Sequence, residues 1–160
     1  CTSCMDVCPT KAFEGPNQLD ARKCISYLTI EYKGSIKEEL RPMMGNRIFG
    51  CDDCQIFCPW NKFLKITDEA DFKPRHNLDD IDLSNLFMWS EEEFLEKTQG
   101  SPIRRAGYES WLRNIAIALG NAESSVEVLR VLHSKKDDPS EIVKEHVNWA
   151  IDQHKNKEKK

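Results

Sequence analysis

The chain has 160 residues, a formal net charge of −4 and 39% hydrophobic residues. This length allows one or two small domains with a modest core, and the negative charge means that a nucleic-acid partner would have to meet a local basic patch. No apolar run approaches the roughly 20 residues of a membrane-spanning helix, so we expect no part of the chain to lie in a membrane.

The first predicted elements lie in residues 20–63. Asp20 is a candidate N-cap for a helix over residues 21–32, although the apolar alternation there also resembles a strand. Ser35 and Glu38 have the spacing of a capping box, which predicts a second helix over 36–44 that ends at Gly45. Asp52 and Asp53 predict a turn of helix that places Cys54 and Cys58 one turn apart.

Residues 64–80 are polar and contain Pro74, which predicts a connecting loop, and residues 81–153 are predicted to be helical. Ser90 and Glu93 form a second capping box, Ser124 is predicted to start a later helix, and Asp138 with Pro139 fits the start of the last one. A weak repeat at an offset of 32 residues, near 118–120 and 150–152, suggests a short HEAT-type repeat. Residues 154–160 are predicted to be a charged tail.

All seven cysteines lie within the first 58 residues, and six of them form two runs of the pattern C-x2-C-x3-C-P. This pattern is the end of the bacterial ferredoxin run C-x2-C-x2-C-x3-C-P, whose thiolates bind 4Fe–4S clusters. An odd number of clustered cysteines also fits ligation in a reducing compartment better than a disulfide framework. Residues 1–63 are therefore predicted to form a ferredoxin-like module for two 4Fe–4S clusters. Together with the helices predicted above, this gives a fold that is mainly α.

In two-cluster ferredoxins the last cysteine of each run binds the other cluster, and this rule predicts both ligand sets. Cluster one takes Cys1, Cys4 and Cys58. Cluster two takes Cys8, Cys51, Cys54 and, because Ile48 occupies the usual position of the last ligand, the otherwise unassigned Cys24. The fourth ligand of cluster one would lie three residues before Cys1, so we expect the chain to be a fragment cut inside the motif.

Two other sets of residues have competing interpretations. The C-x2-C pairs also suit a structural zinc site, although seven cysteines divide poorly into groups of four. Arg104, Arg105 and Arg113 are candidates for binding nucleic-acid phosphates, and the alternative for each is an ordinary solvated face.

Three segments resemble epoxyqueuosine reductase, an enzyme family of queuosine biosynthesis: LDARKCISYLTIEYKGSIKEELRP at 19–42, GNRIFGCDDCQIFCPWNKF at 45–63 and SPIRRAGYESWLRNIAIALGN at 101–121. The resemblance implies a cobalamin-binding domain before the clusters and a HEAT-like helical region after them. It implies that the clusters supply electrons to cobalamin for the reduction of epoxyqueuosine to queuosine in tRNA. The isolated cysteine of that family matches Cys24, and no catalytic acid can be transferred to this chain.

The same resemblance implies a cytoplasmic monomer that receives electrons from an external donor and binds tRNA carrying epoxyqueuosine. Three alternatives remain at this point: a two-cluster ferredoxin-like electron carrier, a relative of the cobalamin-dependent reductive dehalogenases, and a zinc module that binds tRNA without catalysis. The helical region at 81–153 favours the reductase, because an electron carrier does not need it.

Overall fold

The structure is a computed structural model that describes residues 1–157, and it is mainly helical, as predicted. The α-helices in this range, α1 to α9, are Ser3–Asp6, Ile25–Ile30, Arg41–Met44, Asp53–Ile56, Leu83–Phe87, Glu91–Lys97, Tyr108–Asn121, Val126–Ser134 and Glu141–Lys157. Short 3-10 helices are Ala21–Lys23, Glu38–Leu40, Pro59–Phe63, Ala70–Phe72 and Pro102–Ala106. None of the helices in residues 1–157 is long and apolar enough to cross a membrane.

The two strands of the described chain form one hairpin between the first cysteine run and Cys24. Strand β1, Phe13–Gly15, pairs antiparallel with strand β2, Gln18–Leu19, and Phe13 lies opposite Leu19. Asn17 in the turn has a positive φ of 61°, a conformation that asparagine tolerates better than most residues. The hairpin returns the chain so that Cys24 can approach the first run.

Helix α7 is the centre of the core. Every residue from Ser110 to Gly120 is buried, and the helix contacts α2, α3, α5 and α9. A helix that is buried on all sides must be surrounded by other elements, because no face is left for solvent. Both the helical region and the cysteine-containing region therefore pack on α7, and Trp111 and Trp149 lie in the core.

The predicted helix over 21–32 is interrupted at Cys24. The Asp20 side chain accepts a hydrogen bond from the backbone N–H of Arg22 at 3.0 Å, but it caps only the 3-10 helix Ala21–Lys23. Cys24 then has extended backbone, with φ −71° and ψ 121°, and α2 begins after it. The prediction of a single helix with Cys24 in its first turn is therefore wrong, and the cysteine lies at a break between two helices.

The predicted capping box at Ser35 is also wrong, because a tertiary contact replaces it. The Ser35 hydroxyl donates a hydrogen bond at 2.8 Å to Glu145 of α9. The segment that follows forms the 3-10 helix Glu38–Leu40 and then α3, instead of one helix over 36–44. The predicted end at Gly45 is confirmed, since Gly45 has a positive φ of 59° that glycine adopts at little cost.

In the second half of the chain, the positions at which the helices begin agree better with those predicted from the sequence. The capping box at Ser90 and Glu93 is confirmed, with hydrogen bonds of 3.2 and 2.9 Å. Helix α8 begins one residue later than expected, because Ser125 is its cap. The prediction for α9 is wrong, because Ser140 caps that helix in place of Asp138.

The end of α9 differs from the predicted charged tail. The helix continues to Lys157, and His154 within it is fully buried, with its ring nitrogens 2.8 Å from the Ser124 hydroxyl and 2.9 Å from the Leu119 carbonyl oxygen. These contacts attach residues 154–157 to the core. The rest of the predicted tail, residues 158–160, lies outside the described residues.

We expect Gly120→Ala to destabilise the protein, because Gly120 lies where α7 and α9 approach closely. A Cβ atom there would lie 2.7 Å from Cζ3 of Trp149 and 2.9 Å from Cα of Ala150. Overpacking of this kind costs about 1–3 kcal/mol, which exceeds the gain of up to about 1 kcal/mol in helix propensity. Urea unfolding measures the difference, and Gly15→Ala is the control because its Cβ would meet only Gln18 Oε1, at 3.5 Å. Equal stability of the two variants would contradict the close packing.

The buried imidazole of His146 predicts a loss of stability in acid. Its Nδ1 donates to the Ile142 carbonyl at 2.7 Å and its Nε2 accepts from the Ile36 N–H at 3.2 Å, so the site requires the neutral ring. Burial, helped by the nearby Arg41 and opposed by Glu145, lowers the pKa of His146 to about 4, below the 6.5 of an unperturbed histidine.

Since the unfolded chain binds the proton more tightly, the contribution of His146 is complete above about pH 6.5 and is lost as the pH falls towards 4. We expect up to about 3 kcal/mol of the unfolding free energy to disappear over this interval. Unfolding of the protein and of His146→Gln across this range measures the difference, and His133→Gln, at an exposed position, is the control. An identical pH dependence for all three proteins would contradict the assignment.

Candidate iron–sulfur site

Four cysteines from separate parts of the first 58 residues line one cavity. Cys8, Cys24, Cys51 and Cys54 surround a volume of about 70 Å³. The other residues of the lining, most of them apolar, are Pro9, Thr10, Ala12, Phe13, Leu19, Ile25 and Asp53. These four cysteines are the ligand set that the sequence predicts for cluster two.

Each of the four is placed by a different local structure. Cys8 precedes Pro9, and its sulfur accepts a hydrogen bond from the Ala12 N–H at 3.3 Å. Cys24 is the residue before α2, where the backbone is extended, and Cys54 lies within α4. Cys51 follows a glycine with a positive φ of 76°, which turns the chain towards the cavity.

The two cysteine runs fold alike, 50 residues apart. Helix α1, Ser3–Asp6, contains the middle cysteine of the first run, and α4, Asp53–Ile56, contains that of the second at the same offset. The two helices contact each other. The repeated sequence pattern therefore produces repeated structure, and it brings Cys4 and Cys54 onto neighbouring elements.

Burial disfavours ionisation of two thiols of this cavity, those of Cys51 and Cys54. It raises the pKa of Cys51 and of Cys54, and for Cys54 the neighbouring thiols of Cys51 and Cys24 raise the pKa further. Thiolates gathered in apolar surroundings need a nearby positive charge, which iron ions supply. A donor set of four sulfurs around a cavity thus fits a 4Fe–4S cluster, in which each thiolate binds a different iron.

The arrangement differs from a site for a single ion. Within residues 1–157, no three histidine, cysteine, aspartate or glutamate side chains are grouped closely enough to hold one metal ion. The four cysteines are spaced around a cavity instead.

The predicted ligands of cluster one lie outside this cavity. Cys1 is exposed, with its sulfur 3.4 Å from the Ser3 hydroxyl, while Cys4 lies in α1. Cys58 follows α4, the predicted turn of helix, and directly precedes the 3-10 helix Pro59–Phe63. The structure brings their elements together through the contact of α1 with α4, and the assignment of these three cysteines stays a prediction.

The predicted phosphate contact at Arg113 is wrong. This arginine is fully buried, and its guanidinium donates to the carbonyl oxygens of Leu28, Tyr32 and Gly34 at 2.7, 2.8 and 2.7 Å. Burial lowers its pKa to about 10, so the group remains charged at neutral pH. The helical spacing of its neighbours could not reveal that this arginine points into the core.

Arg104 and Arg105 lie at the surface, in the 3-10 helix Pro102–Ala106 that precedes α7. The Arg105 side chain is 69% exposed and forms an ion pair of 2.8 Å with Glu31. Both side chains can therefore meet a partner, although Glu31 offsets part of the charge of Arg105. Their predicted role in binding phosphates is not tested by this geometry.

Exposed apolar side chains follow the second run. Trp60 is 74% exposed, with its ring centroid 5.7 Å from that of Phe63, and it does not line the cavity. It belongs to a group of exposed apolar residues that also includes Ile56, Phe57, Phe63, Leu64 and Ile66. The Trp60 side chain therefore faces solvent and not the cavity.

Sequence reasoning missed the contribution of Thr29 and Asn114. Both are fully buried and hydrogen-bonded to backbone near the cavity. The available signal was the pair Arg113–Asn114 within an otherwise apolar helix, because buried polar side chains need specific partners.

Comparison with known protein families gives one match within the first half of the chain. Residues 1–61 match a 4Fe-4S double cluster binding domain. This match covers both cysteine runs and Cys24, and it supports iron–sulfur clusters as the cofactor of this region.

Comparison with curated proteins gives matches over nearly the whole chain. The chain is 63% identical over 154 residues to the epoxyqueuosine reductase of Pseudomonas aeruginosa, and the match covers 96% of this chain and 43% of that protein. It is 56% identical over 153 residues to the epoxyqueuosine reductase of Escherichia coli, with 96% of this chain and 40% of that protein covered. The chain therefore spans less than half the length of these relatives.

Solved structures give the same result at lower identity. A structure of epoxyqueuosine reductase from Bacillus subtilis superposes with a TM-score of 0.88 at 34% identity, covering 96% of this chain and 41% of that one. A crystal structure of epoxyqueuosine reductase with an epoxyqueuosine-modified tRNA stem loop has the same TM-score, identity and coverage.

Proposed function

We propose that this chain, a member of the epoxyqueuosine reductase family, carries the iron–sulfur clusters that supply electrons for the reduction of epoxyqueuosine to queuosine in tRNA. The resemblance predicted from the sequence is confirmed by similarity over 96% of the chain. The observation that carries the proposal is the cavity lined by Cys8, Cys24, Cys51 and Cys54, because four thiols from distant positions meet there.

The ligand sets follow from this cavity and from the crossing rule of two-cluster ferredoxins. Cys8, Cys24, Cys51 and Cys54 would hold cluster two, while Cys1, Cys4 and Cys58 would hold three irons of cluster one. A ligand from outside these 160 residues would complete cluster one. A bound cluster accepts and releases single electrons, and the chain sets its surroundings through the apolar wall and the backbone N–H groups near the sulfurs.

The finer architecture belongs to the same proposal. Residues 1–63 would form a ferredoxin-like double-cluster module, residues 64–80 a connecting segment, and residues 81–153 a HEAT-like region. The packing of α7 on α9, and of α8 on α9, supports the last part, because stacked helices of this kind form such repeats.

The complete enzyme would also bind cobalamin, which would supply the reductive chemistry at the epoxide, and the clusters held by this chain would supply its electrons. We assign no catalytic acid to this chain, since Asp53 is engaged in an ion pair of 2.6 Å with Arg47 and the relatives are more than twice as long. We propose an external electron donor, a monomeric state and a cytoplasmic location, as expected for an enzyme that acts on tRNA.

The role of Cys24 can be tested by substitution in the complete enzyme, prepared and reconstituted without oxygen. We expect about eight irons with matching sulfide before substitution and about four in Cys24→Ala, because only cluster two loses a ligand. Iron and sulfide analysis and the electron paramagnetic resonance spectrum of the reduced protein measure this. Cys4→Ala is the matched variant, and it should remove the other cluster's signal. Two intact clusters in Cys24→Ala would refute the ligand assignment, and zinc without sulfide in the unsubstituted enzyme would refute the proposed function.

The role of Arg104 and Arg105 can be tested through the salt dependence of tRNA binding. Replacing both with alanine should weaken binding of an epoxyqueuosine tRNA stem loop and reduce the slope of log K against log salt by about one to two units. Arg130→Ala is the control, because Arg130 is an exposed, ion-paired arginine on α8. If the double variant keeps the original slope, Arg104 and Arg105 belong to an ordinary solvated face.

A further inference from the structure

Two adjacent polar residues, Arg113 and Asn114, lie in the buried helix α7. Both side chains are fully buried, and they contact each other: Asn114 Oδ1 accepts from Arg113 Nε at 3.1 Å and from Nη2 at 2.9 Å. This pairing fixes the orientation of the amide, so that its Nδ2 points away from the arginine. The Nδ2 group therefore donates its hydrogen bonds to partners other than Arg113.

The Asn114 amide joins two segments that carry cysteines of the cavity. Its Nδ2 donates to the carbonyl oxygen of Thr29 at 2.9 Å and to that of Ile48 at 2.9 Å. Thr29 lies in α2, which starts directly after Cys24, and Ile48 lies three residues before Cys51. One buried side chain of the helical region thus bonds to both segments.

Thr29 makes a second link between the same segments. Its hydroxyl donates to the Ile25 carbonyl oxygen at 2.8 Å and accepts from the Gly50 N–H at 2.9 Å. Ile25 adjoins Cys24 and Gly50 adjoins Cys51. The hydroxyl therefore links the backbone next to Cys24 to the backbone next to Cys51.

Arg113 completes the network at the other end of α2. Its guanidinium bonds to the carbonyl oxygens of Leu28, Tyr32 and Gly34, which lie at or after the end of that helix. The Leu28 carbonyl lies in the last turn of α2, where a helix leaves its carbonyl oxygens free, and Tyr32 and Gly34 lie beyond that helix. The arginine thereby anchors α2 on α7.

We propose that Asn114 and Thr29 are positioning residues for cluster two: they hold the Cys24 and Cys51 segments at the separation that the cluster requires. The inference rests on the proposed function, because it concerns the surroundings of a cluster bound by these cysteines. Residues that orient metal ligands from behind control how firmly the metal is held and at what potential it is reduced. The helical region would accordingly act as part of the cluster site.

The test uses a substitution that removes only the donor. Asn114→Asp keeps an oxygen for Arg113 but cannot donate to the carbonyls of Thr29 and Ile48. In the reconstituted complete enzyme we expect one cluster to release iron to a chelator about tenfold faster and to show an altered reduced-state resonance spectrum and a shifted reduction potential. The signals of the other cluster should not change.

The same helix provides a matched control in Asn121. Its Nδ2 also donates to two backbone carbonyls, those of Arg41 and Gly45, at 2.8 and 3.0 Å, and this segment contains no cysteine. Asn121→Asp should lower thermal stability without changing either cluster. If the two variants alter the clusters equally, or if neither does, the positioning role is refuted.

Thr29 gives an independent test that does not depend on the folding of Asn114→Asp. Thr29→Val removes the hydroxyl and keeps the shape, whereas Thr29→Ser keeps the hydroxyl. We expect the valine variant to change the spectrum and potential of one cluster and the serine variant to restore them. Equal spectra for both variants would refute the inference while leaving the proposed function intact, whereas an unsubstituted enzyme without iron and sulfide would refute both.

Discussion

The structure depends on the burial of helix α7 on every side. Because the residues from Ser110 to Gly120 have no contact with solvent, each neighbouring element is positioned by its packing on this helix. The segments around Cys24 and Cys51 are short, with helices of six and four residues, and helices of this length are not stable alone. Their conformation must therefore come from tertiary contacts: α2 packs on α7 and on the 3-10 helix Pro102–Ala106, and α4 packs on α1.

This dependence explains why polar residues occur in the middle of a hydrophobic core. An apolar side chain in place of Asn114 would pack, but it would leave the carbonyl oxygens of Thr29 and Ile48 without partners. A buried carbonyl that loses its partner costs about 1–3 kcal/mol. Apolar packing also tolerates small displacements, whereas hydrogen bonds in fixed directions specify where a segment lies. A site that needs four sulfurs at defined positions benefits from such directional hydrogen bonds.

The sequence predicted those features that depend on neighbours along the chain. The spacing of the cysteine runs, the capping box at Ser90 and the helix end at Gly45 are local patterns, and the structure contains each of them. The four cysteines that the crossing rule and the residue at position 48 predict for cluster two also line one cavity of the structure.

The failed predictions concern residues whose partners lie far away in sequence. Ser35 has the spacing of a cap, but Glu145 is a distant competitor that the local pattern cannot reveal. The predicted role of Arg113 assumed that α7 has a solvent-exposed face. This helix is buried, and its burial results from packing of the whole chain. The helix that follows the break at Cys24 also has distant partners, since Gly50 and Asn114 both bond to Thr29.

The hydrogen bonds of this network and the electrostatics of the cavity act in different ways. The bonds made by Asn114, Thr29 and Arg113 join backbone groups, so they do not require the cysteines to be ionised. In contrast, burial raises the pKa of Cys51 and Cys54, so iron must displace protons from thiols that would otherwise stay neutral. A chain organised in this way can hold its cysteine side chains in place before the metal binds. The thiols then ionise only when positive charge enters the cavity. In the proposed site, the hydrogen bonds from α7 would set the geometry, and a bound cluster would set the charge.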